Sequence, residues 1–340
     1  MKKILGKAPN RLLDLIGRFS RARILVVGDF ILDEFIWGDV SRISPEAPVP
    51  VVNVKRESFL PGGSLNVANN IRTLGGTVFP CGIVGRDLEG RMLVRKMRQH
   101  GIEMGGVILD ASRPTTLKTR VIAHSQQVVR VDRERAEPVS REAAKKILHF
   151  VKKKINEADV VIIEDYGKGM IEPFLLTPLL KLIRQSGKPV LVDPKERHFM
   201  LYKGATVITP NRFEAYEAYG APPNGRPKPD LETVGRGLLK KLRLEAVLVT
   251  LGEEGMALFE KNRPTAKIPT TAREVFDVSG AGDTVIAVLA LAMAAGARLP
   301  EAALLSNLAA GIVVGKLGTA TVEPAELKEA VQEAGSLVHA

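Results

Sequence analysis

Short apolar, β-branched runs alternate with helix-length segments along most of the chain. Ile24-Leu25-Val26-Val27, Val160-Val161-Ile162-Ile163, Val190-Leu191-Val192, Thr206-Val207-Ile208 and Ala246-Val247-Leu248-Val249 lack the polar alternation of a half-exposed strand. They read as strands buried on both faces. Each is followed by a polar or glycine position and then by a segment able to form a helix. The pattern predicts an α/β fold, a mostly parallel sheet with helices on both faces. Such sheets bind ligands beyond the carboxyl ends of their strands. Asp29, Asp165, Asp193, Asn211 and Thr250 fall just past the predicted strand ends. Singly, each is equally well explained as a helix cap; the five together point to a site.

Two stretches break the rhythm. Phe35 to Lys55 holds short extended pieces around Ser44-Pro45-Glu46-Ala47-Pro48-Val49-Pro50, and Thr115 to Asp132 reads as two strands with a polar turn near Ser125. Both are expected to form a small β lid, with segments at about 33–56 and 113–133, inserted into a single domain spanning 1–340. Nothing in the chain reads as an interdomain linker, a repeat or a low-complexity tract. Asn224 to Asp230 reads as a surface loop.

Composition narrows the partners. A lone cysteine, Cys81, excludes an intrachain disulfide and fits a cytoplasmic setting. Lys2, Lys3 and Lys7 are not followed by an apolar run of signal-peptide length. No stretch reaches the roughly 18 apolar residues of a membrane helix; Val285 to Ala297, the richest, reads as a buried helix. The formal charge is +11, with lysines and arginines spread along the chain, while aromatics are only 5%. Anionic small substrates therefore explain the charge better than nucleic acid, which needs stacking surfaces.

The strongest chemical signal is Asp277-Val278-Ser279-Gly280-Ala281-Gly282-Asp283-Thr284, which precedes an alanine-rich apolar segment. Glycines at a helix start let backbone N–H groups approach an anion, and the helix terminus adds partial positive charge. A phosphoryl group in transfer needs such stabilisation. Asp283 falls in the first turn, where a carboxylate can accept a proton from an attacking hydroxyl. A plain helix cap is the competing reading.

This segment resembles the C-terminal signature of the pfkB family of carbohydrate kinases. Pro61-Gly62-Gly63-Ser64-Leu65-Asn66-Val67-Ala68 resembles that family's N-terminal signature. The resemblance implies a ribokinase-like fold, Asp283 as catalytic base, an anion hole from Gly280, Ala281 and Gly282, and sugar contacts from Gly62, Gly63 and Asn66. Further runs are similar to kinases acting on D-glycero-D-manno-heptose 7-phosphate. They are Gly28-Asp29-Phe30-Ile31-Leu32-Asp33, Ser41-Arg42-Ile43-Ser44-Pro45-Glu46-Ala47-Pro48-Val49-Pro50, Arg113-Pro114-Thr115-Thr116, Gln126-Gln127, Asp165-Tyr166-Gly167-Lys168-Gly169, Asp193-Pro194-Lys195 and Val313-Val314-Gly315-Lys316-Leu317-Gly318-Thr319. The similarity runs from about residue 20 to about 325.

The rest of the expected site rests partly on chemistry and partly on this resemblance. Asp29, Asp33, Asp165 and Lys168 are expected on the sugar side. Asn211 and Glu214 resemble an Asn-x-x-Glu element that organises Mg²⁺ near ATP, with Glu214 acting through water; a helix capping box is the alternative. Thr250, Gly252 and Gly255 resemble the nucleotide-side loop, Asn307 the adenine end, and Lys195 a neutraliser of the moving phosphate. Lys118 and Arg120, two apart on a predicted lid strand, share a face and with Arg130 could read a distal phosphate; a solvated strand face is the alternative.

Some positions depart from the heptose-kinase pattern: Leu65, Arg212-Phe213, Glu196 and His198. No His-x-Gly-His element of a nucleotidylyltransferase occurs. The expected reaction is ATP-dependent phosphorylation of the anomeric hydroxyl, with Mg²⁺, in a cytoplasmic homodimer paired through the lid valines and Phe35, Ile36 and Trp37. The pathway implied is nucleotide-activated heptose for surface glycans. A pfkB kinase for ribose, fructose or phosphofructose is one alternative; a non-catalytic regulator on the same fold is another.

Overall fold

The computed structural model describes residues 9–124, 126–221, 229–272 and 275–339. The expected turn at Ser125, the N-terminal lysines and most of the loop expected at Asn224–Asp230 lie outside these residues.

Nine strands form the main sheet. Seven are β1 (Arg23–Gly28), β4 (Thr77–Gly85), β5 (Gly106–Asp110), β8 (Val160–Glu164), β9 (Val190–Asp193), β10 (Val207–Ile208) and β11 (Ala246–Thr250), all parallel; β12 (Met256–Glu260) and β13 (Ala266–Ile268) continue one edge antiparallel. The spatial order is β13-β12-β11-β10-β9-β8-β1-β4-β5. From β1 the chain first builds outward through β4 and β5, then restarts at β8 on the other side. The switch point lies between β1 and β8, where α/β sheets bind ligands.

Side chains alternate across this sheet. Ile24 and Val26 enter one core, Leu25 and Val27 the other. The first core is roofed by α1 (Pro9–Gly17), α2 (Ser64–Thr73), α3 (Leu88–Gln99), α8 (Ala281–Ala294), α9 (Leu299–Val313) and α10 (Pro324–His339). The second is roofed by α4 (Arg141–Lys154), α5 (Pro173–Ser186), α6 (Arg212–Tyr219) and α7 (Leu231–Leu242). Helix α8 is buried from Asp283 to Ala292, as its alanine-rich sequence predicts. Among the described residues no helix is long and apolar enough to cross a membrane.

The strand-then-helix expectation fails in three places. β1 passes through Asp29 directly into β2 (Phe30–Ile43), which leaves the main sheet; β9 and β11 are followed by 3₁₀ turns at Glu196–Tyr202 and Gly252–Glu254. β4 and β5 were not visible as apolar runs, because Pro80 and Gly82 interrupt the first and the second is only partly buried.

The lid is a separate four-stranded sheet of order β3-β2-β6-β7. β2 pairs antiparallel with β3 (Pro50–Gly63) and parallel with β6 (Thr116–Ala123), which pairs antiparallel with β7 (Gln126–Arg133). The expected short pieces are thus a hairpin of two 14-residue strands, with register shifts at Trp37/Gly38 and Val40/Arg42. Val49, Val54, Val129 and Val131 are about half exposed on it, at 52%, 51%, 47% and 55%. Phe35 is buried, and Trp37, expected on the surface, is covered by Phe35 at 5.5 Å and by the Arg56 guanidinium at 3.9 Å.

Candidate active site

Asp283 lies in the first turn of α8, after Gly280, which caps the helix at φ +78°. A Cβ on Gly280 would stand 2.6 Å from Asn66 Nδ2. Glycine therefore lets α2 and α8 approach closely, with φ in the region it favours. The approach joins the two helices. Asn66 Nδ2 donates to Asp283 Oδ2 at 2.7 Å, and Thr284 Oγ1 donates to Asn70 Oδ1 at 3.1 Å. Asp283 Oδ1 accepts from the Tyr166 hydroxyl at 2.5 Å. Burial raises the Asp283 carboxyl to about 6, against the two hydrogen bonds, which pull it down. A carboxyl titrating near neutrality can take and release a proton.

The lid supplies one wall. Asp33 on β2 is buried and accepts from Arg120 Nη1 at 2.5 Å. Opposite it, a Cβ on Gly62 would strike Asp33 Oδ2, and one on Gly63 (φ +56°) would stand 2.6 Å from the Asp29 carbonyl. The glycine pair thus lets β3 pass these acids and enter α2. Lys118 shares the Arg120 face of β6; its ammonium lies 5.3 Å from the Tyr166 ring centre, and burial lowers its pKa. Arg130 stands directly across from Arg120 in register, but its guanidinium turns to Asp132 at 2.9 Å and stays exposed.

Three expected sugar contacts are redirected by their own partners. Asp29 Oδ2 accepts from the Tyr166 and Lys168 backbone N–H groups at 3.0 and 3.1 Å, and burial lifts its pKa to about 6. Asp165 is bound by His198 Nδ1 and Tyr202 Oη, each at 2.5 Å, and by the Gly167 N–H. Lys168 Nζ pairs with Glu134 at 2.6 Å. These side chains fix the loop after β8 rather than project from it. His198 and Glu196, both departures in sequence, answer Asp165 and Lys195 respectively.

A cleft of about 480 Å³ opens beside the α8 terminus. Thr250, Gly252, Gly255 and Asn307 line it together with Ala281 and Gly282, as expected, and Gly282 is exposed. Its floor is apolar, with Met256, Val285, Ala310 and Val314. A Cβ on Gly255 would strike the Ile268 carbonyl, so the turn into β12 needs glycine. The Asn307 amide donates to the Pro269 carbonyl at 2.9 Å, which fixes the loop over the cleft. Lys195, Asn211 and Glu214 are not among the described residues that line it. Lys195 Nζ lies 2.9 Å from Glu196. Asn211 and Glu214 form a reciprocal capping box on α6, each bond 2.9 Å, so the capping alternative is realised here. Burial raises the Glu214 pKa.

Three residues central to this geometry had no role assigned from sequence: Glu164, Tyr166 and Asp193. One carboxylate oxygen from each of Glu164, Asp193 and Asp283 lies within 4.8 Å of the other two. The sequence places Asp193 past a strand end without a particular role; for Glu164 the hint is a glutamate ending the apolar run of β8, where burial makes an acid conspicuous.

Residues 21–326 match the pfkB family carbohydrate kinase. The chain belongs to that family. It is 46% identical over 318 residues to the bifunctional protein HldE of Desulfatibacillum aliphaticivorans, covering 94% of this chain and 65% of the relative. It is 45% identical over 303 residues to HldE of Geobacter sulfurreducens, covering 89% and 61%. The pfkB chain thus spans a little under two thirds of these relatives. Arabidopsis thaliana ribokinase, solved with ribose and ATP, superposes with a TM-score of 0.71 at 20% identity, over 92% of this chain and 99% of that one. Phosphofructokinase-2 of Escherichia coli, solved with potassium, gives 0.76 at 17%, over 94% and 100%. These likenesses establish the ribokinase-like fold, and the family makes the protein a sugar kinase.

Proposed function

We propose that this sugar kinase transfers the γ-phosphoryl group of ATP to the anomeric hydroxyl of D-glycero-D-manno-heptose 7-phosphate, giving the 1,7-bisphosphate for nucleotide-activated heptose. The observation that carries the reading is the position of Asp283, between the lid wall bearing Asp33 and Lys118 and the cleft bearing Gly282. Similarity to the HldE proteins supports the heptose.

In this reading Asp283 accepts the hydroxyl proton. The N–H groups of Gly280 and Gly282 face the transferring phosphoryl, where the α8 terminus favours negative charge; that of Ala281, also expected there, donates to the Val278 carbonyl at 3.3 Å. The sugar packs against Asp33, Gly62, Gly63 and Asn66, and Lys118 meets its distal phosphate, while Arg120, also expected there, holds Asp33. ATP occupies the cleft lined by Thr250, Gly252, Gly255 and Asn307. Mg²⁺ fits the carboxylate-rich donor set of this corner. Glu214, whose Oε2 serves the capping box, would reach it through water. When bound, the ion offsets phosphate charge.

The whole chain acts as one kinase domain with the lid inserted, in a cytoplasmic dimer whose lids cover each other's exposed valines. A coupled ADP-release assay over free and phosphorylated sugars tests the assignment. Turnover highest with the heptose 7-phosphate is the expected result; higher kcat/KM with ribose, fructose or phosphofructose would replace it.

A further inference from the structure

We propose that His198 is a positioning residue for the base: through Asp165 it holds the turn that presents Tyr166 to Asp283. The inference rests on Asp283 taking the hydroxyl proton and does not depend on which sugar is used.

The argument starts at Tyr166. Its hydroxyl donates to Asp283 Oδ1 at 2.5 Å, so the setting of that carboxylate depends on where the Tyr166 backbone stands. This backbone is a tight turn closed by a side chain. Asp165 Oδ1 accepts from the Gly167 N–H at 2.9 Å, an aspartate bonding its own backbone two residues on. Tyr166 is the residue enclosed, and Gly167 supplies the positive φ, +67°, on its far side. Rotation of the Asp165 carboxylate would open the turn and carry Tyr166 with it.

The second oxygen of Asp165 opposes that rotation. His198 Nδ1 and the Tyr202 hydroxyl both lie 2.5 Å from Oδ2. The Asp165 side chain is 0% exposed and that of His198 8%, so water does not readily replace a lost partner. His198 and Tyr202 belong to the 3₁₀ turn at Glu196–Tyr202, whose Arg197 donates to the Gly167 carbonyl at 3.1 Å. This one turn therefore grips both ends of the segment around Tyr166. It is not a wall of the nucleotide cleft: no residue from Glu196 to Tyr202 is among the described residues that line it. Asp29 holds the Tyr166 and Lys168 N–H groups independently, so loss of His198 tilts the turn rather than unfolding it. A small displacement beside reacting atoms is enough to slow a reaction.

Steady-state kinetics of the full chain at one fixed pH, with ATP and D-glycero-D-manno-heptose 7-phosphate, or ribose or fructose if either turns over faster, test the role. His198→Leu should lower kcat about tenfold, the worth of a hydrogen bond to a charged group, with the KM for ATP unchanged. His198→Asn keeps an N–H donor close to the Nδ1 position and should restore most of the loss. In a Tyr166→Phe background His198→Leu should cost nothing further, because its effect passes through the hydroxyl already removed. Circular dichroism and thermal melting establish that each variant is folded. If His198→Leu does not fold, Tyr202→Phe, which removes the other bond to the same oxygen at nearly the same volume, takes its place in the cycle. The proposal is overturned if the losses of His198→Leu and Tyr166→Phe multiply, or if the KM for ATP rises while kcat holds. It also falls if His198→Leu turns over like wild type while Asp283→Asn is impaired; the base then stands without its positioning residue. Turnover of Asp283→Asn close to wild type would remove the base, and the role of His198 with it.

Discussion

Asn66 Nδ2 donates to Asp283 Oδ2 at 2.7 Å, a contact between residues 217 apart. It ties the first turn of α2 to the first turn of α8. Both turns follow glycines, and both glycine segments are the chain's sequence signatures. In the proposed mechanism Asn66 therefore has two tasks, to contact the sugar and to hold the carboxylate that takes the proton.

Replacing that carboxylate by an amide keeps the helix start and removes proton acceptance. Asp283→Asn should lower kcat by about 10²–10⁴, the usual worth of general acid–base catalysis. ATP binding by calorimetry should persist. Turnover close to wild type would exclude Asp283 as the base.

The pH profile follows from the same group. Below about 6 the Asp283 carboxyl is protonated and cannot accept a proton, so kcat/KM should rise with pH through about 6 and then level. The Tyr166 hydroxyl stabilises the ionised form. Tyr166→Phe should move that limb to higher pH by about one to two units, from a charged hydrogen bond worth about 1.5–3 kcal/mol. A limb that stays put or moves down would contradict the contact.

Lys118 and Arg120 should separate in their effects. Arg120 is already paired with buried Asp33, so Arg120→Ala also leaves that acid uncompensated and should harm free and phosphorylated sugars alike. Lys118 lies over an aromatic ring instead. Lys118→Ala should cost kcat/KM roughly tenfold to a hundredfold on the 7-phosphorylated sugar, with a smaller loss on its unphosphorylated analogue. Equal losses would show that Lys118 does not read the phosphate.

The exposed valines at both edges of the lid, Val49 and Val54 at β3 and Val129 and Val131 on β7, motivate the proposed dimer, since exposed apolar surface marks interfaces. Light scattering after size exclusion should give twice the chain mass. Val54→Glu or Val129→Glu should shift it towards monomer. Trp37→Asp is a poorer probe than sequence suggests, because Phe35 and Arg56 already cover that ring. A wild-type monomer at micromolar concentration would remove the pairing.

Local runs made the central strands legible, because β1, β8, β9 and β11 are buried on both faces and unbroken. β4 was not, since Pro80 and Gly82 interrupt its apolar pattern without preventing parallel pairing. The glycine turns were legible because the close approach of α2 and α8 needs glycine, as Gly280 against Asn66 shows. What the sequence hid was direction. Asp29, Asp165 and Lys168 sit where ligands are met, but long-range partners such as His198 and Glu134 turn them into the loop. Tyr166 stayed hidden for the same reason: only the fold sets its hydroxyl against Asp283.

β3 runs from the exposed tip at Pro50 to buried Gly63 and enters α2 at Ser64 with no intervening loop. The lid and the helix carrying Asn66 are therefore one lever. The same continuous chain joins the hairpin tip to the residue that donates to Asp283. In the proposed mechanism, sugar choice and proton acceptance are then inherited together. A lid grafted from a kinase for another sugar would bring its own setting of the base, and libraries that vary only the lid would select for rate as well as for substrate.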